Sequence, residues 1–301
     1  MMVAGPVPPA CPVRRLGPGD AEAGAALSAD AGWGHSVADW RCRIAFGAGI
    51  GCDIDGQLAA AGLLLPGPPG IAFFGMLLVA QAHRGQGLGA AVTGAALREA
   101  GRMGRSTVAL FAVPKAVTLY SRLGFQEQGL LLSYRRGGDA AAAGSGHVEP
   151  GITVRPLQAR DLPAVLALDR ASYGADRAPM LHDQIARFPE LSLVASDASG
   201  LQGFALASAR TGLTVIGPVV ASGAAAAIAL TAALLARTDG AIRCDSLGVA
   251  DGHRAAYHHW LEERGFAVLN RIPLMVFGAE RGRTPFAIPH RLFAAQSAAA
   301  G

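Results

Sequence analysis

Lysine is almost missing from this chain. Lys115 is the only one, and arginine supplies the remaining positive charge among 26 basic and 22 acidic side chains. We read that imbalance as genomic composition bias, not function. Cysteine is also scarce, confined to Cys11, Cys42, Cys52 and Cys244. No C-x-x-C pair exists, and no cysteine–histidine set has zinc spacing, so no metal site is read. Buried thiols in a reducing compartment are the expectation. Long apolar runs are lacking. Gly223 to Ala236 is the longest, too short and alanine-rich to span a bilayer. Met1 to Pro12 is broken by four prolines and has no charged segment before an apolar run, so it does not read as a signal peptide. A soluble cytoplasmic protein without a membrane partner is expected. Charge of one sign is modest: the net is +4, with 12 basic and 8 acidic residues in 1–136 against 14 and 14 beyond. That excess suits a phosphorylated small molecule and is too weak for nucleic acid.

What the chain does have is length for two domains at 301 residues, and one distinctive stretch from Met76 to Gly89. An apolar run ends, a glycine-rich turn comes next, and a helical pattern begins. Apolar residues recur at Leu88, Ala91, Val92, Ala95, Ala96 and Met103, the spacing of a helix with one buried face. The first N–H groups of a helix lack partners within it, and its dipole puts partial positive charge there. Gly85, Gly87 and Gly89 carry no Cβ, so a ligand can come close to the backbone. Together these features make an anion site suited to a pyrophosphate. The spacing is G-x-G-x-G rather than G-x-G-x-x-G, no acidic residue lies about twenty positions on, and Gly-Lys-Ser/Thr is absent. A Rossmann fingerprint and a P-loop are thereby excluded; a plain turn is the remaining alternative.

Arg84-Gly85-Gln86-Gly87-Leu88-Gly89 resembles the Arg/Gln-x-x-Gly-x-Gly/Ala loop of the GNAT acetyltransferase superfamily. Met76 to Val79 is similar to that family's central strand. Ala116, Tyr120, Gly124 and Phe125, in the right order downstream, resemble its A-x-x-x-Y-x-x-x-G-F helix and strand start. The resemblance implies acetyl-CoA as cofactor. Arg84 to Gly89 would hold its pyrophosphate, the backbone of Leu77, Leu78 and Val79 would position the pantetheine and polarise the carbonyl, and Ala116 would line the same site. It also implies Tyr120 as the acid that protonates the leaving thiolate. The residue-level alternative for Tyr120 is a core aromatic on Phe125. Val113 stands where the family often carries asparagine.

The rest of the chain reads in order. Residues 1–12 form a disordered lead. Val13 to Leu16 is a short strand, and Asp20 caps a helix to about Ala29. Ser36 starts a helix carrying Trp40 and Ile44. Gly49 to Asp53 and Leu58 to Leu65 are strands joined by Asp55-Gly56, a strong hairpin signal. Ile71 to Val79 is the central strand and Thr107 to Val113 the next. Pro114 opens a helix that Gly124 ends. Residues 137–151 have linker composition. Then Val154-Arg155-Pro156-Leu157 echoes Val13-Arg14-Arg15-Leu16, Asp161 echoes Asp20, and Gly265-Phe266 echoes Gly124-Phe125. The second half reads as a diverged copy of the first. The expected organisation is α/β (α+β), with two GNAT-like domains at 13–136 and 152–279, each a mixed, mostly antiparallel sheet flanked by helices, and a loose tail over 280–301.

The second copy lacks the loop: Ser222-Gly223-Ala224-Ala225-Ala226 replaces arginine and paired glycines, and Leu261 stands in the tyrosine's place. Acetyl-CoA is therefore expected in the first copy only. No carboxylate lies on Ile71 to Val79 to serve as base. His35 and Asp39 are the nearest alternatives, against a surface histidine and a solvated helix charge. Trp33 and Trp40 read either as core aromatics or, with His35, as an acceptor wall. Asp245, His253, Tyr257, His258 and His259 make a polar cluster whose adjacent histidines point apart, a poor metal site; surface helix residues are expected there. The function expected is acetyl-CoA-dependent N-acetylation of a small-molecule amine. The alternative is an acetyl-CoA-binding sensor without turnover.

Overall fold

The computed structural model describes residues 11–138, 151–248, 252, 254–278, 285–286 and 289–296. Most of the expected lead and linker, and part of the tail, lie outside these residues. In chain order the elements are β1 (Val13–Arg15), α1 (Ala21–Asp30), α2 (Val37–Phe46), β2 (Ala48–Ile54), β3 (Gln57–Pro66), β4 (Ile71–Val79), α3 (Leu88–Arg102), β5 (Thr107–Phe111), α4 (Val117–Arg122) and β6 (Gln126–Arg136). After these come β7 (Thr153–Pro156), α5 (Leu162–Tyr173), α6 (Ala178–Arg187), β8 (Ser192–Asp197), β9 (Gly200–Arg210), β10 (Leu213–Ala221), α7 (Ala224–Leu235), β11 (Ala241–Gly248), α8 (Ala255–Glu263), β12 (Ala267–Phe277) and β13 (Leu292–Ala294).

Two compact units result, and each includes a strand from the far half of the sequence. Among the described residues, the first unit contains 11–128 with 273–278 and 285, and the second 129–272 with 286 and 289–296. In the first, strands run in the order β1-β2-β3-β4-β5, antiparallel except for β4 with β5. The end of β12 completes it, with Leu274 opposite Phe111 and Val276 opposite Ala109. In the second, β7-β8-β9-β10-β11 repeats that order, and β6 completes it, with Tyr134 opposite Cys244. The expected boundaries at 136 and 152 therefore differ from the packed units. Gly129 to Arg136 belongs with β11, and Pro273 to Phe277 belongs with β5.

Local signals account for the elements of the first unit. Ser36 and Asp39 form a reciprocal cap on α2, with Asp39 N donating to Ser36 Oγ at 3.2 Å and Ser36 N to Asp39 Oδ2 at 2.9 Å. Asp55 and Gly56 both take positive φ, 49° and 75°, as a tight hairpin between right-twisted strands requires. The buried face of α3 is Leu88, Val92, Thr93, Ala96 and Ala100. Burying Leu88 or Val92 stabilises this unit by roughly 1.5–3 kcal/mol each. Met103 departs from the expected face: it lies just past the last helical turn and is 38% exposed.

Two further expectations change. Cys11 and Cys52 are bonded, with Cα atoms 6.2 Å apart, because the β1–β2 register sets Val13 opposite Cys52. Cys42 and Cys244 lie outside that bond, so not all four cysteines are the buried thiols expected. The tail is not loose throughout: Phe286 and Leu292 to Gln296 are buried.

Candidate active site in the first unit

The site begins at an irregularity in β4. Leu78 pairs with Ala61 and Gly75 with Leu63, so Met76 and Leu77 together stand opposite Gly62. Met76 takes φ of 51° while 1% exposed, a backbone conformation costly for a side chain of its kind. Such a bulge bends a strand and re-aims the residues beyond it. Just before this point β4 leaves β5. The two pair at Ile71–Thr107, Ala72–Val108 and Phe73–Ala109 and, among the described residues, no further. The β5-facing edge of β4 from Phe74 to Val79 thus carries backbone N–H and C=O groups with no strand to meet them, a template for an extended polar ligand.

The glycine turn closes one end of this opening. Gly85 and Gly87 have φ of 80° and 82°, left-handed values that disfavour any side chain. They turn the chain so that α3 starts at Leu88, and Ala91 N donates to Gly87 O at 3.0 Å as the first helical bond. The N–H groups of Leu88, Gly89 and Ala90 precede that bond and remain for an anion. Arg84 does not reach out for one. Its Nε donates to Val79 O at 3.2 Å, and its Nη2 lies 3.7 Å from Asp30 Oδ2. Asp30 also accepts from Gln81 N at 2.9 Å. Arg84 and Asp30 brace the loop against the end of β4 and of α1. Asp30 lies 51 residues from Gln81 and carries no local signature, so the sequence did not reveal it.

Tyr120 comes from the other side. It belongs to the same apolar cluster as Leu88, Leu77, Val79 and Ala116. Its ring meets Phe125 edge-on, with centroids 5.5 Å apart. The core-aromatic reading of this residue is what the packing shows: a buried ring against Phe125. Burial pushes the phenol well above its ordinary range, so it keeps its proton at neutral pH. Gly89 marks the convergence. A Cβ there would lie 3.4 Å from Leu119 of α4 and 3.8 Å from Leu77 and Val79.

The acceptor residues fare differently. Trp33 is half-buried and meets His35 edge-on at 5.8 Å. His35 is 6% exposed and so is not the surface histidine expected. Trp40 is fully buried; its Nε1 donates to Ser28 Oγ at 2.9 Å, and a Cβ on Gly24 would lie 2.4 Å from its ring. It is a core residue between α1 and α2 and cannot line an acceptor cleft. Asp39, 8% exposed, is spent on Ser36 and on Arg43 (3.3 Å), so it is neither solvated nor open to substrate.

In the second unit, Gly223 precedes α7 with extended φ of −168°, and no left-handed turn forms there. The expected surface cluster divides. Asp245 is buried and accepts from Ser133 Oγ at 2.6 Å. Tyr257 is fully buried, its hydroxyl 3.0 Å from Thr231 Oγ1 and 3.4 Å from Cys244 Sγ. Burial pushes the Cys244 thiol up to about 12 and so keeps it protonated. His258 lies inward too, and among the described members of the cluster His259 alone faces solvent, 3.2 Å from Glu263. His253 lies outside the described residues.

Comparisons bear on both units. The profile described as "Acetyltransferase (GNAT) family" matches residues 26–125, and one described as "Acetyltransferase (GNAT) domain" matches residues 165–286. No curated protein matches the sequence significantly. A candidate acetyltransferase from Pyrococcus horikoshii has a similar structure, with TM-score 0.75 and 16% identity over 100% of this chain and 99% of that one. So does a GCN5-related N-acetyltransferase from Sphaerobacter thermophilus, with TM-score 0.65 and 17% identity over 93% and 100%. A tandem GNAT protein from the clavulanic acid biosynthesis pathway aligns with TM-score 0.63 and 17% identity over 90% and 99%. A bulged strand parting from its parallel neighbour beside a glycine turn, the same strand order repeated, and a family match to each half lead to one assignment: the chain is a two-domain member of the GNAT acetyltransferase family.

Proposed function

We propose that the protein is an acetyl-CoA-dependent N-acetyltransferase that holds its cofactor in the first unit and acetylates a small-molecule amine. One observation carries the reading: β4 parts from β5 after Phe73 and runs on to the left-handed turn that starts α3, with Tyr120, Leu77, Val79 and Leu88 in one apolar cluster. The residues present fit the cofactor. A pyrophosphate would find N–H groups of Leu88 to Ala90 at a helix N-terminus, and a pantetheine arm would find the β4 edge at Leu77 to Val79, where Arg84 holds the Val79 carbonyl.

The chain's own groups then have definite tasks. Backbone N–H groups on the β4 edge would face the thioester carbonyl of a bound acetyl-CoA and favour negative charge on its oxygen. Tyr120 would hold the proton that the sulfur of coenzyme A takes up on leaving. The attacking amine must shed a proton. His35, which meets Trp33, is the imidazole we assign to that role, and Asp39 is withdrawn from it by its bonds to Ser36 and Arg43. Trp33 and His35 form the acceptor side. The clavulanic acid pathway of one structural neighbour supports a small molecule as acceptor.

A panel of small amines with acetyl-CoA and thiol detection tests the reading. Amine-dependent thiol release is the expected result. Tight acetyl-CoA binding with no release across the panel would favour the sensor alternative.

A further inference from the structure

β10 and β11 begin as β4 and β5 do. They pair in parallel over Leu213–Ile216 and Ala241–Cys244 and then part, and β10 has its own irregularity between Ile216 and Val219. In this second unit the opening is filled. β13 runs antiparallel to β10, with Val219 opposite Ala294 and Val220 opposite Leu292. On the β11 side, Ala295 N donates to Asp245 O at 2.8 Å, and the Ser246 hydroxyl donates to the Phe293 carbonyl.

Side chains far apart in sequence spend their polar groups on this segment. Arg254, 1% exposed, donates to the carbonyls of Pro289 and Leu292. Gln296 donates to Gln184 Oε1 at 2.8 Å, and Gln184 donates in turn to Gly217 O at 2.9 Å. Gly217 clears the path: a Cβ there would stand 1.9 Å from Ala295 O, which no other residue could tolerate. Phe293 is buried edge-on to Tyr257 at 5.4 Å. Main-chain bonds on both sides with one anchored aromatic are how a sheet receives an added peptide strand.

We propose that the second unit contains a binding site for an extended peptide strand, and that residues 289–296 of this chain are its resident ligand. Bonds from β10, Asp245, Ser246 and Arg254 hold the strand, and the Phe293 pocket and Gly217 select it. While it is seated, the opening is closed to a pantetheine arm. This inference stands on the second unit alone and goes beyond acetyl transfer in the first.

The test begins with the full chain carrying a protease site inserted within residues 280–284, folded first and then cut. The released C-terminal fragment is expected to co-elute with the remainder. A labelled peptide of residues 286–299 is expected to exchange into the cut protein saturably and not to bind the uncut chain. The same peptide with Ala295→Pro lacks the N–H that meets Asp245 and should bind about tenfold or more weakly, the scale of one buried hydrogen bond. Saturating acetyl-CoA should not displace the fragment. Loss of the fragment from a folded remainder, failure of the peptide to enter, or displacement by acetyl-CoA would each overturn the proposal. If cutting unfolds the protein, hydrogen exchange on the intact chain decides. A slow Ala295 amide, indifferent to acetyl-CoA, supports the resident strand, and a fast one refutes it.

Discussion

Tyr120→Phe isolates one oxygen. The ring is 6% exposed and packs edge-on against Phe125 at 5.5 Å, and phenylalanine preserves both features. Among the described residues the hydroxyl has no hydrogen-bond partner that the change would strand, so stability should move by less than about 1 kcal/mol. Removing the whole ring is another matter. Tyr120→Ala would leave a cavity beside Leu88 and Phe125 and should cost on the order of 3–5 kcal/mol. The catalytic expectation is separate from both. Losing one positioned proton donor should lower kcat by about 10²–10⁴-fold, roughly 3–5 kcal/mol at the transition state, with acetyl-CoA affinity nearly unchanged. The assay is steady-state thiol release with the best amine from the panel, alongside calorimetric titration of acetyl-CoA and a melting curve for each variant. A Tyr120→Phe protein that melts like the parent, binds acetyl-CoA like the parent and also turns over like it would refute the acid role and leave the tyrosine a packing residue.

Other outcomes rest on the same structure. Gly87→Asp puts a side chain and a negative charge on a left-handed backbone at the start of α3; it should weaken acetyl-CoA binding by calorimetry far more than Gly87→Asn, which tolerates that conformation without the charge. Trp40→Ala should cost about 3–5 kcal/mol in denaturant unfolding, whereas Trp33→Ala should raise the acceptor KM with little change in stability. Burial, with Arg254 nearby, pulls His258 down to about 4, so the fold favours the neutral ring. Its contribution is fully present above about pH 6.5, the unfolded value, and is lost as pH falls toward 4. Allowing for solvent screening, the difference is about 1–2 kcal/mol, and His258→Asn should flatten the melting temperature between pH 7 and pH 5. A variant whose melting temperature falls as steeply as the parent's would remove His258 from the account.

Much of the first unit was legible because its signals are short-range. The Asp55-Gly56 turn, the Ser36–Asp39 cap and the left-handed Gly85 and Gly87 each act within a few residues, and backbone sterics alone specify them. The strand-turn-helix from Ile71 to Arg102 could be read for the same reason. Burial could not. Asp39 looked like a solvated charge because its neutralising partner Arg43 is one of many arginines. Trp40 looked available because the space it fills depends on Gly24, sixteen positions earlier on another helix. The Cys11–Cys52 bond depends on strand register, and the seating of β13 depends on Gly217, Ser246 and Arg254 together. The exchange of β6 and β12 was hidden by the repeat itself: similarity between the halves marks where a copy begins and ends in sequence, not which sheet its last strand joins.

That exchange bears on how such a chain can change over time. The second unit has no left-handed glycine turn at the start of α7, and its strand opening is filled by its own polypeptide. It could drift in every respect that concerns a ligand. It could not be discarded, because Leu274 to Phe277 come from its half of the sequence and cover Val108 to Phe111 of the first unit. A gene fragment ending in the inter-domain linker would lose the neighbour of β5. Gly129 to Arg136 would be left with no β11 to pair with. Duplication followed by strand exchange therefore acts as a ratchet: neither half can be dropped without leaving a strand of the other unpaired.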